Sequence, residues 1–316
     1  MPAGHNKVDK YINNIKVDKE NSVCFFNDEN HVYYNKETMQ TYISCTTLVH
    51  SYSQPFDEDF WSSYKALETL LEPDLFTIVK PKLLSTKRFN KALVAKLELN
   101  EDDFDKKKNE ILNEYALKRK TACDKGTLAH AKKEMSFYNN TDFDFSKYGY
   151  KELCGKFVCE ENHSELDLQN GVYPEFLIQW ESEDKTLRIA GISDLVILKN
   201  NELYIIDWKT SKTIDKKSYY NKQTKQSVKM KYPLNTLDDC NFNVYQLQLS
   251  LYAWMIKQAK PDIVVKGLTI VQLLDDGGEV SYPCEYLEHE VERMIAHYMK
   301  QQKINKELDR DKPIDI

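Results

Sequence analysis

The 316-residue chain reads as an α/β protein whose mixed β-sheet is flanked by helices. Three observations carry that reading. Three apolar, β-branched segments follow one another after Pro174, at 175–182, 187–198 and 203–209. A long run of helical composition, 105–137, precedes them. A helix over 243–258 and a strand over 264–273 follow. The order is thus helix, three meandering strands, helix, strand.

Residues 1–20 are polar and charged and read as a flexible arm. Segments 23–27 and 31–35 flank an Asp-Glu-Asn turn as a β-hairpin, with 40–44 a third short strand. Ser44 is placed to cap a helix that begins Thr46-Thr47-Leu48-Val49, and further helices are predicted over 57–71 and 89–99. Within 105–137, Leu112, Tyr115, Ala116 and Arg119 fall at helical spacing as a packing stripe, and Gly126 is a point where the run can bend or divide. Another helix is predicted over 148–160. Strand 264–273 is placed to pair with 279–284 across Asp275-Asp276-Gly277-Gly278. A charged amphipathic helix from Leu287 closes the chain. The expected organisation is the arm 1–20, an N-terminal hairpin and helical region 21–104, and a core 105–316 that contains a basic loop, 211–242.

An apolar fraction of 41% with 12% aromatics is enough to bury a core. No apolar run approaches the ~20 residues of a membrane span, and no signal-peptide pattern opens the chain, so cytoplasm is the expected location. The seven cysteines are odd in number and scattered, which argues against a secreted disulfide scaffold. Cys154 and Cys159 lack the second tight pair that a zinc or iron–sulfur site needs, so buried thiols are expected.

The net charge of −6 is unevenly spread. Between residues 199 and 231, nine lysines face only Glu202, Asp207 and Asp215. A second stretch, 80–96, holds Lys80, Lys82, Lys87, Arg88, Lys91 and Lys96 with no acid. Either alone reads as a solvated face. Two basic stretches in an acidic chain suit a local polyanion site.

Register arithmetic places chemistry on the three strands. If Asn200 and Asn201 form a two-residue turn, Lys199 pairs with Glu202 and Asp194 falls opposite Asp207. If 183–186 is a four-residue loop, Ser182 pairs with Leu187 and Glu175 lands opposite Asp194. Phe176, Ile178 and Trp180 share one side, which leaves Glu175 on the other, and Lys209 shares the face of Asp207. Carboxylates about 5 Å apart repel by roughly 3 kcal/mol at an effective dielectric near 20. Such a row is reasonable around a divalent cation, and oxygen ligands suit Mg²⁺ or Mn²⁺. Spacing alone leaves open a one-residue slip, or a surface ion pair of Asp207 with Lys209.

The strings Gly191-Ile-Ser-Asp194, Asp207-Trp-Lys209-Thr210 and Gln248-Leu-Ser-Leu-Tyr252 resemble the RecB-like branch of the PD-(D/E)XK nucleases. Gly126-Thr-Leu-Ala-His130 matches that branch's upstream histidine, and Tyr173-Pro-Glu-Phe supplies its early acid, Glu175. The five elements occur in the family's order. His31-Val-Tyr-Tyr, Ser44-Cys-Thr-Thr-Leu and Pro55-Phe-Asp resemble, less specifically, the N-terminal region of bacteriophage-type exonucleases. The resemblance implies a restriction-endonuclease-like α-β-β-β-α-β core.

It further implies Mg²⁺ or Mn²⁺, as one or two ions, held by Asp194 and Asp207 with the Trp208 carbonyl beside them. Glu175 would hold a second ion or a metal-bound water, and His130 would ligate a second ion. Lys209 would orient the nucleophile or stabilise the transition state. Gln248 and Tyr252, at i and i+4, would steer a phosphate or back the site. With Cys284 as its sole cysteine near the C-terminal end, the chain is expected to lack the branch's iron–sulfur cluster. Lys212, Lys216, Lys217, Lys222 and Lys225, interleaved with Tyr219 and Tyr220, suit phosphates and unpaired bases. The expected activity is a DNA exonuclease acting on free ends in replication, recombination or degradation, with replication or recombination proteins as partners. The rivals are a structure-selective or single-strand endonuclease of the same fold and a catalytically idle DNA-binding module.

Overall fold

The computed structural model describes residues 24–27, 30–89, 91–138, 142–156, 170–221 and 225–310. The expected arm at 1–20 lies outside them, as do Val23, Cys159 and Lys222. The protein divides into two compact units, Pro55–Leu128 and the remainder. The N-terminal hairpin belongs to the larger unit, and the helical run as far as Leu128 to the smaller one.

In the larger unit, β1 (Cys24–Asn27), β2 (Val32–Asn35) and β3 (Thr41–Ser44) form an antiparallel meander, and β3 leads into α1 (Cys45–His50). Ser44 caps α1, its hydroxyl accepting from Thr47 N–H at 2.9 Å. The smaller unit holds α2 (Glu58–Leu70), capped by Asp57, then α3 (Pro73–Thr86) and α4 (Lys91–Lys96). The helix α5 (Glu101–Tyr138) follows, and Gly126 does not interrupt it. Phe60, Tyr64, Leu67, Phe76, Leu83 and Phe104 form the core of the smaller unit. α3 is not apparent in the sequence: Pro73 suits its first turn, but Pro81 inside it and its lysines obscure the pattern.

The helix expected over 148–160 is absent from its described part. A 3₁₀ turn, Ser146–Tyr148, ends at Gly149 with φ 96°, and two short strands, β4 (Asp142–Asp144) and β5 (Cys154–Lys156), pair there. Residues 157–160 lie outside the described residues. Phe145, Tyr148 and Leu153 are buried with Phe137 and Trp208, so packing overrides helical propensity in this segment.

β6 (Gly171–Glu181), β7 (Arg188–Lys199) and β8 (Glu202–Lys209) form the expected meander. Lys199 pairs with Glu202 across Asn200 and Asn201, whose φ values of 53° and 63° are those asparagine tolerates in a tight turn. Glu181 pairs with Arg188, and Ser182 N–H donates to Leu187 O, which closes the four-residue loop. The basic loop carries a small hairpin of β9 (Tyr220–Asn221) and β10 (Gln226–Ser227). α6 (Asn241–Ala259) then crosses to β11 (Val264–Leu273), which runs parallel to β8 and antiparallel to β12 (Glu279–Cys284). α7 (Glu288–Arg310) ends the described chain. The sheet order is β1-β2-β3-β7-β8-β11-β12, with β6 along β7. α1, α6 and α7 contribute to one core, with Tyr173, Val196, Leu198 and Ile205 of the sheet. Phe137 and the 145–153 segment pack with Leu195, Ile206 and Trp208 in another. No described helix is long and apolar enough to cross a membrane.

Candidate active site

The site forms where the sheet forks. β6 follows one edge of β7 along nearly its whole length, so β3 and β8 share the other edge. β8 pairs as far as Leu195↔Ile206, and β3 takes up pairing at Ile189 and Ala190. Asp194 lies between these two ladders. Its Oδ2 accepts from Trp208 N–H at 2.7 Å, so a carboxylate takes the place a strand carbonyl would have. Its Oδ1 lies 3.1 Å from Nδ1 of His130, on α5.

Glu175 completes the group. One ligand atom from each of His130, Glu175 and Asp194 lies within 4.8 Å of the other two. Glu175 has φ 48°, a left-handed conformation rarely adopted by a glutamate and costing on the order of 1 kcal/mol. Register with β7 is unshifted on either side, Pro174↔Leu195 and Phe176↔Ser193, and Glu175 itself makes no rung. Tyr173, Phe176 and Ile178 all enter the same core, so side-chain alternation is broken at Glu175. The strained residue, rather than strict strand alternation, therefore sets where this acid sits.

Asp207 stands outside that trio, and the simple row of three opposed carboxylates is replaced by a trio beside an ion pair. Lys209 Nζ lies 2.6 Å from Asp207 Oδ2. The two groups meet as a close ion pair. Asp207 is 2% exposed, which excludes a surface pair.

Burial and the neighbouring Asp194 push the Asp207 carboxyl up to about 6 even though Lys209 opposes the rise. Burial would also raise Asp194, but His130, Lys209 and the Trp208 amide hold it below the ordinary value. Burial pulls His130 down, yet Asp194 outweighs it and the imidazole rises to about 9. The Lys209 ammonium, disfavoured by burial, is kept charged by Asp207 and Asp194. Titratable groups pushed apart in this way are typical of a functional site.

α6 backs the group. Gln248 Nε2 donates to Tyr252 Oη at 2.9 Å and to Thr46 Oγ1 at 3.2 Å, and Tyr252 Oη donates to Ile192 O at 2.9 Å. Gly191 is required by this packing: a Cβ there would meet the Tyr252 ring at 2.7 Å and Cys45 Sγ at 2.9 Å. Sequence reasoning missed Tyr245, whose ring centroid lies 5.0 Å from Lys209 Nζ and whose hydroxyl is 2.7 Å from Ser211 Oγ. Its spacing of three residues before Gln248, on one helix face, was the available signal.

The basic loop is anchored by Ile214, Met230 and Leu234, all buried in the core. Gln272 Nε2 donates to the carbonyls of Ser211 and Lys212. Lys212, Lys217, Tyr219, Tyr220 and Lys225 are exposed, and Lys216 Nζ lies 4.9 Å from the Phe242 ring centroid.

The model of the PD-(D/E)XK nuclease superfamily matches residues 65–312. No curated protein matches the chain. Among solved structures, one titled "Crystal structure of SSO0001" shares 19% identity over 41% of this chain, with a TM-score of 0.24. The match spans 50% of that protein's own length. With the family model covering most of its length, the chain belongs to the PD-(D/E)XK nuclease superfamily.

Proposed function

We propose that the chain is a metal-dependent exonuclease that hydrolyses phosphodiester bonds from DNA ends, in replication, recombination or genome degradation. The observation that carries the reading is the convergence of His130, Glu175 and Asp194 beside the buried Asp207–Lys209 pair. The donors fit a divalent cation: carboxylate oxygens suit Mg²⁺ and Mn²⁺, and the imidazole nitrogen shifts preference toward Mn²⁺. His130, Glu175 and Asp194 would hold the ion, with Asp207 and the Trp208 carbonyl as further ligands. One or two ions are consistent with that set. Such an ion supplies positive charge to the phosphate and acidifies a water.

The remaining work falls to the chain. Lys209 stays protonated between two carboxylates and is placed to orient the nucleophile or offset charge on the phosphate. Tyr245 limits the positions its ammonium can take. Gln248 and Tyr252 hold β7 at Ile192, two residues from Asp194, and so act as positioning residues. Lys212, Lys216, Lys217 and Lys225 are suited to DNA phosphates, and Tyr219 and Tyr220 to bases at a frayed end.

The test is incubation with end-labelled linear DNA and covalently closed circular DNA in Mg²⁺ or Mn²⁺. Degradation of the linear form alone, stopped by EDTA, is the expected result. Cutting of the circle makes the enzyme an endonuclease, and cutting of neither makes it a binding module.

A further inference from the structure

The unit Pro55–Leu128 has a groove of its own, about 750 Å³, between α3, α4 and the start of α2. Its cations are Lys82, Lys87, Arg88 and Lys96, all exposed and none with an ion-pair partner among the described residues. Its two acids are already engaged. Asp57 Oδ1 accepts from Phe60 N–H at 2.9 Å as the cap of α2, and Asp59 pairs with Lys108 at 2.5 Å. Four cations against Asp57, with Asp59 matched by Lys108, leave the groove with a net positive charge. Between the cations lie apolar side chains: Ile78 is 73% exposed, and Phe89 and Leu93 are half-buried.

We infer that this groove binds single-stranded DNA, its cations meeting successive phosphates and its apolar wall receiving unpaired bases. The inference deepens the nuclease reading and rests on it, by assigning the helical unit a hold on the strand. The occupant follows from complementarity on two counts. The four lining cations, without ion-pair partners among the described residues, match a polyanion, whose binding draws on counterion release. An exposed aliphatic and aromatic surface between them gains nothing from a duplex, whose bases are stacked inside. Unstacked bases bury that surface. The wall is also positioned independently of strand chemistry, since Phe89 stacks on Phe104 at 5.1 Å within the same unit.

The test uses the full chain in EDTA and a short fluorescein-labelled oligothymidylate, read by anisotropy across a salt series. Lys82→Gln, Lys87→Gln, Arg88→Gln and Lys96→Gln together should weaken binding by about tenfold or more and reduce the log–log salt slope by about 0.7 for each phosphate no longer neutralised. Phe89→Leu, with its melting temperature checked, should weaken binding while leaving the salt slope unchanged. The blunt-duplex affinity of the quadruple variant should fall much less. Hydrolysis of bis(p-nitrophenyl) phosphate in Mn²⁺ reads the metal site separately, and the quadruple variant should retain it. Wild-type failure on that diester and on DNA would sink the nuclease reading while leaving the groove measurable. Unchanged oligothymidylate affinity and slope in the quadruple variant, a loss confined to duplex, or no binding by the wild type overturns the groove.

Discussion

Asp207 and Lys209 form a buried ion pair at 2.6 Å two positions apart on one strand, and each is the principal electrostatic neighbour of the other. Asp207→Asn relieves repulsion from Asp194 but leaves the ammonium without its nearest counter-charge in a poorly hydrated place. The first effect wins, because the carboxyl stays raised to about 6 even with Lys209 beside it, so its charged form opposes folding at neutral pH. Without metal the variant should melt higher than wild type at pH 7, and it should cleave no DNA. A melting temperature for Asp207→Asn below wild type would show that the pairing with Lys209 dominates instead.

His130 and Asp194 meet at 3.1 Å, so the two should fail together in binding but unequally in turnover. Asp194→Ala removes a donor of the trio and the acceptor of the Trp208 amide, and should lower turnover about 1,000-fold. His130→Ala should cost on the order of 10–100-fold. Calorimetric titration with Mn²⁺ should show weakened binding in both, and wild-type affinity in either removes that residue from the ligand set.

Gly191→Ala places a methyl against a ring that hydrogen bonds hold in place. Overpacking of this kind costs about 1–3 kcal/mol. A lower melting temperature is expected, with activity reduced through β7. Unchanged stability would mean that Tyr252 can shift freely, contrary to its bonds with Ile192 and Gln248.

Glu279 on β12 is contacted by Lys133 and Lys147 and accepts from Tyr148 Oη at 3.0 Å. Burial alone would raise its carboxyl, but the two lysines bring it below the ordinary 4.5. A depressed folded pKa means the charged form favours folding. This contribution is present above 4.5 and is lost as pH falls through the folded value. Melting curves should therefore fall more steeply below that pH in the wild type than in Glu279→Gln, and parallel curves would remove the linkage.

Lys212, Lys217 and Lys225 are exposed, so changing all three to Gln should leave the melting temperature unchanged. DNA affinity should fall, with the salt slope smaller by about 0.7–0.9 for each phosphate released. Filter binding over a salt series reads both quantities, and an unchanged slope makes the loop a surface insertion.

The register of β6, β7 and β8 was legible because short turns declare themselves: two asparagines at positive φ, and a four-residue loop closed at Ser182. Asp194 and Asp207 were therefore placed near one another by counting. Glu175 was legible as an acid but not as a kink, since nothing in Tyr173-Pro174-Glu175 marks a left-handed residue where a strand is expected. His130 is 45 residues from Glu175 in sequence, and only the Gly126-x-x-x-His resemblance brought it in. The helix expected over 148–160 is not formed in its described part because packing against Phe137 and Trp208, outside that segment, decides its course. Tyr245 escaped because an aromatic on an apolar helix gives no local sign of standing over a lysine.

Trp208 faces two ways. Its amide holds Asp194 while its indole fills the opposite core, 5.6 Å from the Phe137 ring centroid. The residue thus works as a rivet through the sheet, with its head in one layer and its shank in the other. The rings of Phe137 and Tyr148 pack against that indole and so govern how tightly the rivet is seated. Trimming them should loosen a carboxylate on the far side, so the geometry of the candidate site is set partly by the aromatic layer behind it.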